Sequence, residues 1–166
     1  YDKAGSWYYE IRDTGFKYNL SDVHAAIGLA QLGRADSFMR RRAAIANHYS
    51  EAFSNCDALQ IPGLASGIQH AWHLYVLRLR VENLKVGRDE FIAALRDRGI
   101  GTSVHFIPLH TMHFYQHRYG YRRGDFPVTE DIYNRCLSLP IYPAMSDEDV
   151  GYVIDVVLDT VRREHR

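Results

Sequence analysis

The sequence predicts an α+β fold in which helices pack on a small, mainly antiparallel sheet. Apolar residues recur at helical spacing in five stretches, whereas runs rich in strand formers are few and short. The strand-like runs are separated first by one helix and then by loops, which lacks the regular alternation of a doubly wound sheet. A sheet of two to four strands is stable only when helices cover it.

Length and composition agree with one domain carrying a real core. The chain has 166 residues, 46% of them hydrophobic and 24% charged, which excludes disordered and fibrous classes. Lys plus Arg and Asp plus Glu both number 20, so charge balance supplies no argument for nucleic acid or an anionic membrane as partner. The longest apolar runs, such as Ala25 to Ala30, fall far short of the ~20 residues that span a bilayer. No cationic-then-apolar segment opens the chain, and Cys56 and Cys136 are too few for a disulfide scaffold. These features point to the cytoplasm. The chain opens on Tyr1 rather than Met and enters an aromatic stretch at once, as a piece of a longer polypeptide or a processed chain would.

Residues 1 to 20 show no helical period and read as loop, with a short strand at Trp7 to Ile11. Ser21 is a helix N-cap, followed by apolar Val23, Ala26, Ile27, Ala30 and Leu32 up to Gly33. Ala25, Ala26 and Gly28 make this helix rich in small residues, which suits close packing at a dimer interface. A second helix runs from Ala35 to Phe53; its Arg40, Arg41 and Arg42 point in different directions and read as a solvated surface rather than an anion site. Residues 56 to 69 are loop, His73 to Val81 a strand, and Gly87 to Arg98 an amphipathic helix that Gly99 terminates. Ile100 to Ile107 returns as a strand ended by Pro108. Val128 to about Leu137 is helical and places Cys136 on a buried face, and Pro140 and Pro143 keep the next segment extended. Ser146 with Asp147, Glu148 and Asp149 opens a last helix to about Glu164.

Histidine is the first candidate for chemistry. His105, His110, His113 and His117 lie within thirteen positions, and the last three would share a face if their segment is helical. Three imidazoles are the ligand count of a catalytic zinc site, but the segment holds no carboxylate to orient them. Hydrogen-bonded surface histidines are the plainer account, with one or two lining an organic-ligand site. No Gly-x-Ser-x-Gly, P-loop or Gly-x-Gly-x-x-Gly motif is present. Neither cysteine has a basic neighbour in sequence that would make it a thiolate.

Four ordered blocks carry a resemblance. They are Gly15-Phe-Lys-Tyr-Asn-Leu-Ser-Asp-Val-His-Ala-Ala-Ile-Gly-Leu-Ala-Gln-Leu, His70-Ala-Trp-His-Leu-Tyr, Arg98-Gly-Ile-Gly-Thr-Ser-Val-His-Phe-Ile-Pro-Leu-His, and Cys136-Leu-Ser-Leu-Pro-Ile-Tyr-Pro-Ala-Met-Ser-Asp-Glu-Asp-Val. Together they resemble the DegT/DnrJ/EryC1/StrS sugar aminotransferases, and the Lys-Tyr-Asn form of the first block is similar to the branch that includes the UDP-4-amino-4-deoxy-L-arabinose aminotransferase of lipid A modification. The resemblance implies the small C-terminal domain of a fold-type I enzyme using pyridoxal 5'-phosphate, with residues 1–20 as an active-site and interdomain loop and 21–166 as the small domain. The Schiff-base lysine, the aspartate facing the pyridine nitrogen and the ring-stacking aromatic of that family have no counterpart here. Lys3, Lys17 and Lys85 are the only lysines, and none lies in a Ser-x-x-x-Lys context.

The resemblance also implies roles. The loop holding Gly15 to Asn19 reaches into the partner subunit's active site in such homodimers. The family commonly has Asn where Lys17 stands and Arg where Asn19 stands; both residue types present here can bond the cofactor phosphate. His105 stands where the family places an active-site histidine, with His110 and Tyr115 as further substrate-side candidates, and Trp72 and His73 as packing residues. The implied reaction aminates a nucleotide-linked keto-sugar, with glutamate as the amino donor. Alternatives are a dehydratase with histidine replacing the catalytic lysine, a non-catalytic nucleotide-sugar-binding or dimerisation module, and a small metal-dependent hydrolase.

Overall fold

The computed structural model describes residues 10–166. Two compact units divide after Ala35. In the first, an irregular stretch leads into α1 (Asp22–Leu32). Ser21 caps it, its Oγ accepting from the His24 amide, as the sequence predicts. No residue of α1 is buried, and Val23, Ile27, Leu29 and Leu32 are all more than half exposed, so apolar side chains surround the helix rather than forming one stripe. The strand expected over Trp7 to Ile11 lies mostly outside the described residues; Glu10 and Ile11 belong to no strand.

The second unit is built on α2 (Ala35–Phe53), β1 (Leu59–Gln60), β2 (Tyr75–Leu79), α3 (Arg88–Asp97), α4 (His113–Tyr119), α5 (Pro127–Arg135), β3 (Cys136–Leu139) and α6 (Asp147–Glu164). The three strands form one antiparallel sheet in the order β1-β2-β3, with Tyr75 opposite Leu139, Leu77 opposite Leu137 and Leu59 opposite Leu79. Alternation along β2 buries Tyr75, Leu77 and Leu79 on one face. Helices fill that face: Ile45, Tyr49 and Phe53 from α2, Phe91 and Leu95 from α3, and Val150, Val153, Val157 and Val161 from α6. The α+β expectation, helices on a small antiparallel sheet, holds. Among the described residues no helix is long and apolar enough to cross a membrane.

The ends of α3 and α6 follow local sequence chemistry. Gly99, at φ +76°, lets the chain leave α3 while the Ile100 amide turns back to the Leu95 carbonyl. At α6, Ser146 Oγ accepts from the Asp149 amide (3.0 Å) and Asp149 Oδ2 accepts from the Ser146 amide (2.9 Å). Ser146→Ala should therefore lower stability by about 1 kcal/mol, readable as a reduced urea midpoint at constant m; an unchanged midpoint would show that Asp149 alone carries this helix start.

Besides the stretch 56–69, read as loop but holding β1, three expectations need correction. Ile100 to Ile107 is not a strand: only Ser103 pairs, with Ser138, as an isolated antiparallel bridge. Extending that register would place Gly101 opposite Pro140, which has no N–H, and Phe106 opposite Arg135, which already belongs to α5. Secondly, the helix from Val128 does not reach Leu137. It ends at Arg135, and Cys136 to Leu139, buried at all four positions, pairs with β2 instead. Tertiary pairing of an apolar run outweighs its helical continuation.

The third concerns the arginine triplet. Arg42 Nη1 donates to the carbonyls of Trp72 (3.0 Å), His73 (3.3 Å) and Ile141 (2.8 Å). Arg41 donates from Nε and Nη2 to the Met145 carbonyl and from Nη1 to Asp147. Two of the three guanidiniums are thus neither solvated surface nor anion site; they anchor loops to α2. Only Arg40 is exposed.

Candidate active-site cleft

A cleft of about 170 Å³ opens beside β3, lined by His73, Gly101, Ser103, His105, Ser138 and Ile141 among others. Its floor is fixed by backbone. Ser138 sits opposite Val76 in β2, and on its other side its amide donates to the Ser103 carbonyl (2.7 Å) while its own carbonyl accepts from the Ser103 amide (3.3 Å). His105 follows two residues later, half-buried, with Nδ1 2.9 Å from Ser138 Oγ. Arg42 holds the opposite rim through the carbonyls of His73 and Ile141.

The same rim contains the one non-glycine residue at positive φ among those described, Trp72 at +47°. Its ring is buried and stacks on Tyr75 at 5.8 Å, and its amide donates to His70 Nδ1 (2.9 Å). Ring burial, this bond and the Arg42 bond together hold a backbone conformation that a bulky side chain otherwise avoids. Trp72 thus packs as expected. His73 does not: it is exposed and lines the cleft.

His110 is 6% exposed and lies in a single 3-10 turn, Leu109–Thr111, before α4 begins. Its Nε2 is 2.8 Å from Glu130 Oε1, and the same oxygen accepts from the Gly124 amide at 2.7 Å. The ring also packs on Phe126. This clasp ties both ends of the excursion 111–129, which carries Tyr115, half-buried and stacked on Tyr119. His113 and His117 stack on each other along α4, so the three imidazoles do not converge. Among the described residues no group of three or more His, Cys, Asp or Glu could hold a metal ion.

The Gly124 amide, then the His110 ring, hold the Glu130 carboxyl below its usual range. A depressed folded-state value means the clasp contributes fully above the ordinary glutamate range and is lost as pH falls through the lower, folded value. The Gly124 amide proton should therefore titrate in NMR with a midpoint below that of an unperturbed glutamate. A midpoint at or above the ordinary value would sink this account.

In the first unit, Lys17 and Asn19 are exposed, interleaved with Phe16 and Tyr18, whose rings are 6.0 Å apart and 85% exposed. An ammonium and an amide fit the phosphate end of pyridoxal phosphate. Of the other lysines, Lys85 donates to the Arg163 carbonyl and Lys3 lies outside the described residues. Both cysteines are free, and burial pushes the Cys136 thiol up, away from nucleophilic use.

Sequence reasoning missed Ser138 and Glu130 and read His73 as packing rather than as cleft lining. For Glu130 the sequence offered no sign, since twenty residues separate it from His110. Ser138 left a faint one: a hydroxyl inside the apolar run Cys-Leu-Ser-Leu.

Residues 2–158 match the DegT/DnrJ/EryC1/StrS aminotransferase family. The spore coat polysaccharide biosynthesis protein SpsC of Bacillus subtilis is 48% identical over 163 residues, covering 98% of this chain and 42% of SpsC. The aminotransferase TlmJ of Streptoalloteichus hindustanus superimposes with a TM-score of 0.78 at 32% identity, over 95% of this chain and 41% of TlmJ. Spr1654 of Streptococcus pneumoniae, in its PLP form, gives 0.82 at 28% identity, over 96% and 40% respectively. The chain thus spans about two fifths of the length of the relatives it matches. With the family match running through nearly all its residues, the chain belongs to the DegT/DnrJ/EryC1/StrS aminotransferase family.

Proposed function

We propose that the protein carrying this chain is a pyridoxal-phosphate-dependent transaminase that converts a nucleotide-linked keto-sugar to an amino-sugar, with glutamate as donor. The observation that carries this reading is the 48% identity to SpsC along almost the entire chain, since SpsC is named for polysaccharide biosynthesis. The product would serve a cell-surface polysaccharide, lipid A or a secondary-metabolite sugar, made by a cytoplasmic homodimer with shared active sites.

The chain's own residues divide the work. Residues 1–20 form the active-site loop and 21–166 the small C-terminal domain. Lys17 contributes a charged and Asn19 a neutral hydrogen bond to the cofactor phosphate. When bound, the cofactor supplies the electron sink for amino transfer. His105 meets the sugar or its diphosphate from the cleft, and Tyr115 offers a ring to the sugar. His110, with Nε2 already on Glu130, acts on the substrate by holding the Tyr115 segment in place. The lysine that carries the cofactor comes from outside this chain, which alone is inactive.

The test is to supply the complete enzyme with cofactor, glutamate and a UDP-linked 4-keto-pentose. Amino-sugar and 2-oxoglutarate should appear in equal amounts. Elimination of water from the sugar, without amine transfer, would overturn the aminotransferase reading.

A further inference from the structure

Ser138 is one of three buried polar residues among those described, with His110 and Thr160. Thr160 bonds within its own helix, to the Val156 carbonyl. Ser138 instead aims its hydroxyl across the cleft floor at His105 Nδ1, 2.9 Å away. Most buried hydroxyls are hydrogen-bonded, and the bare nitrogen of a neutral imidazole can accept from one. Its own amide and carbonyl are taken by Ser103, and the ring nitrogen is the partner the structure gives its oxygen. Donation to Nδ1 places the imidazole proton on Nε2, the ring nitrogen for which the described residues show no partner.

We propose that Ser138 is a positioning residue that holds His105 as an Nε2–H donor toward the oxygens of the keto-sugar ligand. This rests on the reading of His105 as a substrate contact. The strand gives the device its accuracy: Ser138 pairs on one side with β2 and on the other with Ser103, which fixes the backbone that carries the hydroxyl. An imidazole held in one tautomer loses less freedom on binding than a freely turning one, and presents only a donor to sugar hydroxyl or phosphate oxygen.

Two readouts test it. In the full chain, ¹⁵N-imidazole NMR of His105 should show the Nε2–H tautomer, and Ser138→Ala should shift the ring toward a mixture. Ser138→Thr, which keeps the hydroxyl, should restore the wild-type pattern. In the complete enzyme, with a UDP-linked 4-keto-pentose as probe, Ser138→Ala should raise KM about fivefold to tenfold, the loss expected of one hydrogen bond. Adding it to His105→Ala should cost nothing more, because both changes remove one contact. If His105→Ala raises KM while Ser138→Ala moves neither KM nor the ring spectrum, the proposal fails and the reading of His105 survives. If Ser138→Ala shifts the tautomer but His105→Ala leaves KM unchanged, the reading itself has failed and takes the proposal with it.

Discussion

Arg42→Met should lower the stability of the chain by about 3 kcal/mol, because it strands three backbone carbonyls that one guanidinium now serves. Hydrogen bonds to a charged donor are individually worth about 1.5–3 kcal/mol, and an unmet buried carbonyl costs a similar amount. Methionine replaces the aliphatic stem, so packing along α2 is largely kept and the loss reports the polar contacts. The effect is not confined to stability. Two of those carbonyls belong to His73 and Ile141 on the cleft rim, and the third to Trp72, whose positive φ needs an external hold. His73 and Gly101 amides should accordingly exchange faster than in the wild type. Arg42→Lys should recover only part of the loss, since an ammonium cannot reach in several directions with a planar fork. Arg40→Met, one position away but exposed, should be near neutral. Urea unfolding measures all three, and a loss below about 1 kcal/mol for Arg42→Met would mean that water replaces the guanidinium at these carbonyls.

This arginine also marks where sequence stops being informative. Ser146 with Asp149, and Gly99 after α3, act within a few residues of themselves, so the ends they set are legible in the string. The same holds for the long stripe of α6, whose period survives over eighteen residues. Arg42 is different. Its partners lie 30 to 99 positions away, and a run of three arginines on a helix looks the same whether it faces water or buried carbonyls. Cys136 to Leu139 fails for a related reason: an apolar run of that length suits a helix end or a central strand, and only its pairing with β2 decides. His105 could be singled out through its motif, whereas the hydroxyl that fixes it lies on a strand that had not been foreseen to begin there. The carboxylate that takes His110 is likewise supplied by α5, not by the histidine-rich segment itself.

Lys17→Met should weaken pyridoxal-phosphate binding to the complete enzyme by about tenfold to a hundredfold, if its ammonium faces the phosphate as proposed. A dianionic phosphate rewards a charged donor about twice as strongly as a neutral one, so Asn19→Ala should cost less, about fivefold. Lys17→Arg keeps the charge and should retain most of the affinity. The substitutions carry little risk to the fold, because Lys17 and its neighbours Phe16 and Tyr18 are exposed and belong to no helix or strand. Titration of the apoenzyme with the cofactor, followed by its absorbance, reads the affinity directly, without turnover. Inorganic phosphate should compete more weakly in Lys17→Met than in the wild type, which separates loss of a phosphate contact from a change at the ring. Unchanged cofactor affinity in Lys17→Met would remove the residue from the phosphate site and leave it a solvated loop lysine. Affinity lost equally in Lys17→Met and Lys17→Arg would instead place the constraint in the shape of the loop, since charge is kept in the second variant and only geometry differs.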